Sequence, residues 1–100
     1  MAQQTQKNEG QIAGKIIDIL PPKKISEKTT IRELIMEVWD GQYSNPVVFE
    51  AKNDRMKQIN DFKVGEWIIL TYKFNGRKVQ REGQPVRYYN TISILTITKG

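Results

Sequence analysis

Neither cysteine nor histidine occurs in the 100 residues of this chain. Without cysteine there can be no disulfides and no thiolate metal sites, and the chain suits a reducing compartment. Without histidine, the commonest general base, the usual partner of a catalytic nucleophile and the commonest metal ligand are all missing. Long apolar runs are absent too. Residues 16–20 and 67–70 fall far short of the roughly 18 residues that read as a membrane span, and the polar N-terminus does not read as a signal peptide. A cytoplasmic location with no membrane partner is expected. No glycine-rich phosphate loop runs into Lys and Ser or Thr, and no serine motif is paired with a base. Glu33 and Glu37, if placed on a strand, would lie about 13 Å apart, beyond the roughly 5 to 9.5 Å of glycosidase carboxylates. They have no third carboxylate at a spacing that would hold a cation. An enzyme is the class supported least, and no cofactor or metal is expected.

The positive charge that is present is unevenly placed. The chain carries 16 Lys and Arg against 11 Asp and Glu, a net +5. Residues 23–32 hold Lys23, Lys24, Lys28 and Arg32 against Glu27, a balance of +3. Residues 72–90, YKFNGRKVQREGQPVRYYN, hold Lys73, Arg77, Lys78, Arg81 and Arg87 against Glu82, a balance of +4, together with four of the nine aromatics. Between these blocks, residues 33–50 hold Glu33, Glu37, Asp40 and Glu50 and no positive residue. A polyanion-binding function requires the fold to bring the basic blocks together.

A chain of this length makes one domain, able to bury roughly two thirds of its unfolded surface. Residues 1–11 are rich in Gln, Lys and Asn and read as a disordered lead-in, leaving 12–100 as the folded domain. Residues 12–20, IAGKIIDIL, read as a strand that stops at Pro21 and Pro22. Its apolar phase changes between Ile16 and Ile17, and Gly14 lies inside it, so a bulge or sharp bend is expected. Residues 30–40, TIRELIMEVWD, read equally well two ways. Ile31, Leu34, Ile35, Val38 and Trp39 suit a helix with a Thr30–Glu33 capping box, while Leu34, Met36 and Val38 alternate as in a strand. Residues 53–61 suit a short helix begun by Asn53 or Asp54. Residues 67–74 read as a strand with Ile68, Leu70, Tyr72 and Phe74 on the core face and Trp67, Ile69, Thr71 and Lys73 outside. Asn75–Gly76 gives the strongest short hairpin signal, and Gly83, Gln84 and Pro85 a second turn before the last β-rich run, 86–98.

Five strands with one short helix between the third and fourth make the order of an OB-fold, a small all-β Greek-key barrel. The runs VVFEAKNDRMKQINDFKVGEWIILTY and VRYYNTISILTI resemble a bacterial and phage family of small, poorly characterised OB-fold proteins that are themselves similar to single-stranded DNA-binding proteins. The shared features are a strand ending in Phe-Glu, a short helix, a Val-Gly-Glu turn, an alternating strand, and a closing strand shaped Arg-aromatic-aromatic-Asn-x-Ile. The resemblance spans about residues 11–99 and places RELIMEV at the second strand, which favours β for the ambiguous segment. It implies single-stranded DNA as partner, with RNA a close variant, and assembly into homo-oligomers. Thr98, Lys99 and Gly100 stand where the best-known bacterial single-strand binders continue into a flexible segment with an acidic tip. Recruitment of proteins through such a tail is not expected.

In an OB-fold the loop between the first two strands and the loop between the last two flank the binding face. Here those loops would be residues 21–30 and 75–85, the two basic blocks. Lys23, Lys24, Lys28, Arg32, Lys73, Arg77, Lys78, Arg81 and Arg87 would replace counterions along a phosphate backbone without reading sequence. Trp39, Tyr43 and Tyr88, with Tyr89 and Trp67 as further candidates, would stack on bases. Only one of Tyr88 and Tyr89 is expected to face outward. Phe49, Phe62, Tyr72 and Phe74 are assigned to the core. Ile35, Trp67 and Ile69 form a candidate oligomer interface, the basis of a rival reading as a protein-assembly module. Basic hairpin tips also serve merely to discourage edge pairing, and Glu33 and Glu37 would repel a backbone laid across their strand.

Overall fold

The computed structural model of the chain describes residues 8–100. It contains strands β1 (Glu9–Ile19), β2 (Lys23–Ser26), β3 (Thr29–Asp40), β4 (Tyr43–Lys52), β5 (Trp67–Val79) and β6 (Arg87–Lys99), with a 3-10 helix, η1 (Asn53–Asp61), between β4 and β5. The strands hydrogen-bond in the order β1-β5-β6-β4-β3-β2, and a further pairing of β1 with β3 closes five of them into a barrel. This is the OB-fold, with β2 a short addition inside the first loop. The first strand begins at Glu9, so Glu9, Gly10 and Gln11 belong to the barrel and not to a lead-in. Their backbone groups pair with Lys73, Tyr72 and Thr71, which offsets their small apolar content. Residues 1–7 of the expected lead-in lie outside the described residues.

Closure rests on the bend in β1. Residues from Glu9 to Lys15 pair with β5, those from Lys15 to Ile19 pair with β3, and the register shifts between Ile16 and Asp18. The bulge is where the apolar phase changes in the sequence, and it lets one strand serve both neighbours. Gly14 is required here because a Cβ would run into the Glu37 carbonyl oxygen and the Met36 side chain. The turn before β5 holds the bend in place: Ile16 N–H donates to the Glu66 carbonyl at 2.9 Å, and Gly65 N–H donates to the Ile16 carbonyl at 2.8 Å.

Residues Thr29–Asp40 are a strand, and the physical reason is the partner available. From Ile31↔Lys52 to Asp40↔Tyr43 the segment pairs continuously with β4, so the ladder satisfies backbone groups that a helix would have satisfied locally. Thr30 caps no helix; its N–H donates to Asn53 Oδ1 at 3.0 Å. Leu34 and Met36 point inward and are fully buried, joined by Ile16, Ile59, Ile68, Leu70 and Ile94. No polar or charged residue is buried among the described residues. The short helix is 3-10, and no side chain caps it. Asn53, in the left-handed region at φ 52°, spends its side chain on β3 instead. Ile59 plugs the barrel end, while Gln58 bonds β6 where its register with β5 slips, donating to the Leu95 carbonyl and accepting from Ile97 N–H, both at 3.0 Å.

Asn75–Gly76 is not a turn. Strand β5 runs through it, pairing Asn75 with Thr91 and Gly76 with Asn90, and the chain reverses only near Gly83, at φ 77°, where Gln84 N–H donates to the Arg81 carbonyl at 3.0 Å. A reversal at Gly76 would have folded back Arg77, Lys78, Val79 and Gln80, a segment with one apolar side chain. Running on pairs it with the aromatic start of β6. Past Lys73, opposite the first residue of β1, the two strands continue as a two-stranded ribbon. Phe74 is therefore 54 % exposed and not part of the core, resting edge-on against Tyr72 with ring centroids 5.2 Å apart. Phe49 is buried, and Phe62 and Tyr72 pack against the core as expected.

Candidate nucleic-acid interface

Residues directly opposite in a ladder share a face, so the ribbon has two distinct sides. One carries Lys73, Asn75, Arg77 and Val79 with Arg87, Tyr89, Thr91 and Ser93; the other carries Phe74, Gly76 and Lys78 with Tyr88, Asn90 and Ile92. The first side continues the outer surface of β4, where Glu50 stands beside Ser93. Ile25, projecting from β2 in the first loop, faces the same space. Together they bound an open groove of about 470 Å³, floored by Glu50 and Ser93 and walled by Ile25, Lys52, Arg77 and Tyr89. The first loop, through Ile25, and the ribbon thus border one depression, whose basic residues are Lys52 and Arg77.

The guanidinium of Arg77 sits over the Tyr89 ring, 5.4 Å from its centroid. This cation–π contact backs one face of the ring, and Tyr89 remains 45 % exposed. Asn75 Nδ2 donates to Ser93 Oγ and orders the floor between. Nearer the tip, Val79, Arg81, Gln84, Arg87 and Tyr89 line a second hollow of about 210 Å³. Among the described residues the only ion pair is Lys57–Asp54. The basic side chains of both loops therefore have no carboxylate partner there, and their charge is available to a ligand.

The expected site residues divide on this geometry. Lys73, Arg77 and Arg87 lie on the groove side of the ribbon and Arg81 lines the hollow nearer its tip, while Lys23 and Lys24 pair with Ile31 and Thr30, next to Ile25 but outside the groove lining. Lys28 occupies the β2–β3 turn. Lys78 and Tyr88 are on the ribbon's other side. Tyr88 and Tyr89 are both exposed, at 71 % and 45 %, because a two-stranded ribbon has no interior for either to enter. Arg32 is engaged elsewhere: its Nε donates to the Leu20 carbonyl at 2.8 Å and its Nη1 to Asn60 Oδ1 at 3.2 Å, tying the first loop to η1. Trp39 and Tyr43 are exposed near the far tip of the β3–β4 hairpin. Six strand positions, about 20 Å, separate Trp39 from Glu33, which lies opposite Glu50. Trp67 and Ile69 face outward on the β1–β5 side, beside Lys15 and Ala13. Ile35 is two strands further round, and Lys15 and Glu37 intervene.

Ile25, Lys52, Asn75, Thr91 and Ser93 reach the groove without having been expected there. Lys52 follows the strand ending in Phe-Glu, and Asn75–Gly76 reads as a turn in the sequence. Only the ladder register reveals that both share a face with Arg77. The Glu50 carboxyl is pushed above the usual carboxylate range, first by burial and then by Glu33 opposite it, against a smaller opposing effect of Lys52.

A model of a family described as a domain of unknown function, DUF3127, matches residues 11–98. The chain belongs to this family. No curated protein matches it. Among solved structures, the DUF3127 chain is similar to the mitochondrial single-stranded DNA-binding protein Rim1 of S. cerevisiae, with TM-score 0.69 and 9 % identity over 95 % of this chain and 96 % of that one. It is likewise similar to the small single-stranded DNA-binding protein of Streptomyces coelicolor, with TM-score 0.58 and 14 % identity over 96 % of each chain. At these identities the likeness establishes the shared OB-fold.

Proposed function

We propose that this DUF3127 protein binds single-stranded DNA, tolerating most sequences, as an accessory to replication, recombination or repair in the cytoplasm. The observation that carries the reading is the groove itself, in which Ile25 of the first loop and the ribbon border an aromatic ring backed by a guanidinium with no carboxylate partner among the described residues. Charge on the rim would replace counterions along the backbone, and Tyr89 would stack on a base, an interaction of about 1–3 kcal/mol. The proteins of similar fold bear names that state the same activity. Nothing in this arrangement requires chemistry on the nucleic acid, and the role is that of a binder. Single-stranded RNA would use the same surfaces, since no group is dedicated to a 2′-hydroxyl.

Fluorescence anisotropy with a labelled oligo-dT of about 30 nucleotides, against a duplex of equal length, tests the reading at low and physiological salt. Oligo-dT binding should survive physiological salt and exceed duplex binding, because stacking adds to charge. Changing Arg77 and Arg81 together to Glu should flatten the log–log salt dependence by about two and leave the melting midpoint in place. Equal, weak binding of both nucleic acids, lost with salt, would refute single-strand recognition.

A second reading, assembly through protein contacts, draws on Trp67, 49 % exposed, beside outward Ile69 and Ala13. It is compatible with DNA binding. Trp67→Glu should then lower the sedimentation mass, and an unchanged mass would remove this face from consideration.

A further inference from the structure

A carboxylate on the floor of a groove built for a polyanion needs explanation. Glu50 stands opposite Glu33 across the β3–β4 ladder and beside Ser93 of β6. Like charges directly opposite destabilise a sheet, and Glu50 forms no ion pair among the described residues. Burial and Glu33 together make its charged form costly. A phosphate placed over it would add repulsion. The phosphates are therefore best placed along the rim, on Lys52 and Arg77, with the bases turned inward toward Glu50.

On the proposed reading of the groove as a single-strand site, we infer that Glu50 selects the base seated there, favouring bases with an exocyclic amine over thymine or uracil. A carboxylate is purely an acceptor, and acceptance from the cytosine 4-amino group is an established use of Glu in base recognition. Adenine offers its 6-amino group in the same way, and guanine two adjacent N–H donors. Uracil and thymine have one edge donor, N3–H, flanked by two carbonyl oxygens that a carboxylate repels. The neighbouring groups fit this division of labour. Tyr89 provides the stacking face, and Ser93 and Asn75 are already joined to each other, which leaves Glu50 as the charged reader of the floor.

The test compares oligo-dC with oligo-dU of equal length, at pH 8 so that cytosine is neutral, by anisotropy on the full chain. These polymers differ only along the edge Glu50 would meet. Wild type should bind oligo-dC about fivefold or more tightly than oligo-dU, within the range of one base-specific contact. Glu50→Gln can present either a carbonyl or an amine, so the ratio should fall to near one, while both affinities rise as a negative charge is lost. Its fold should be retained, since a carboxyl with a raised folded-state pKa costs stability increasingly as pH rises through its titration range, and the amide removes that cost. Glu33→Gln, one strand away, should raise both affinities and keep the ratio. A wild-type ratio of one with tight binding of both polymers would overturn the inference and leave single-strand binding standing. A ratio that survives Glu50→Gln would overturn the role of Glu50. Failure to bind either polymer would reject both readings.

Discussion

Barrel and ribbon are successive halves of the same two strands, yet they use alternation differently. In the barrel half of β5, Ile68 and Leu70 disappear completely from solvent. In the ribbon half, alternation still sorts Arg77 and Tyr89 to one side and Lys78 and Tyr88 to the other, but both tyrosines stay exposed. What differs is the layer behind them. β1, β3 and η1 help enclose the barrel's inner face, whereas among the described residues no third strand pairs with the ribbon beyond Asn8 and, past Phe74 and Ile92, none of its residues joins the core. Periodicity assigns side chains to faces, and only a second layer turns a face into a core. The faces left uncovered hold the basic and aromatic groups, which are those a nucleic acid would use.

Six substitutions sharpen this contrast, taken from the largest expected effect downward. Leu70→Ala in the barrel should cost about 2–5 kcal/mol of stability, read by chemical denaturation. Arg32→Ala should cost about 1.5–3 kcal/mol by releasing the first loop from η1, while leaving the salt dependence of DNA binding near its wild-type slope; a slope lowered by one would return Arg32 to the interface. Tyr89→Ala should leave stability within about 0.5 kcal/mol but weaken oligo-dT binding by about 1–3 kcal/mol. Tyr88→Ala should weaken it less, and the reverse order would put the strand on the ribbon's other side. Gly83→Ala should cost about 1 kcal/mol, because its φ of 77° suits only a residue without Cβ. Gly76→Ala should be tolerated, since an added Cβ there meets nothing nearer than Asn90 Oδ1 at 3.5 Å. Equal costs at the two glycines would contradict the position of the turn.

The barrel was largely legible in the amino-acid sequence. The phase change at Ile16, the alternation of Ile68 and Leu70, and the Val-Gly-Glu turn each have a local cause that survives in the fold. Residues 30–40 were not decidable locally, because the same apolar positions satisfy both periods and β4 supplies the deciding hydrogen bonds. The ribbon is not legible locally for a similar reason. Asn-Gly is a strong turn signal when the flanking segments can pair with each other, and here a better partner lay further on in β6. Displacing the turn by several residues moved Phe74 out of the core and set Tyr88 and Tyr89 on opposite exposed faces. The groove depended on that displacement too, since Lys52, Asn75 and Ser93 share a surface only in the register adopted.

The central claim is that the first loop and the ribbon grip one strand of DNA between them. An NMR titration of backbone amides with oligo-dT tests it most directly. Saturable shifts are expected at Ile25, Lys52, Arg77, Tyr89 and Ser93, with the Trp67 and Ile69 amides little changed. Shifts centred on Trp67 and Ile69, with the groove silent, would contradict it.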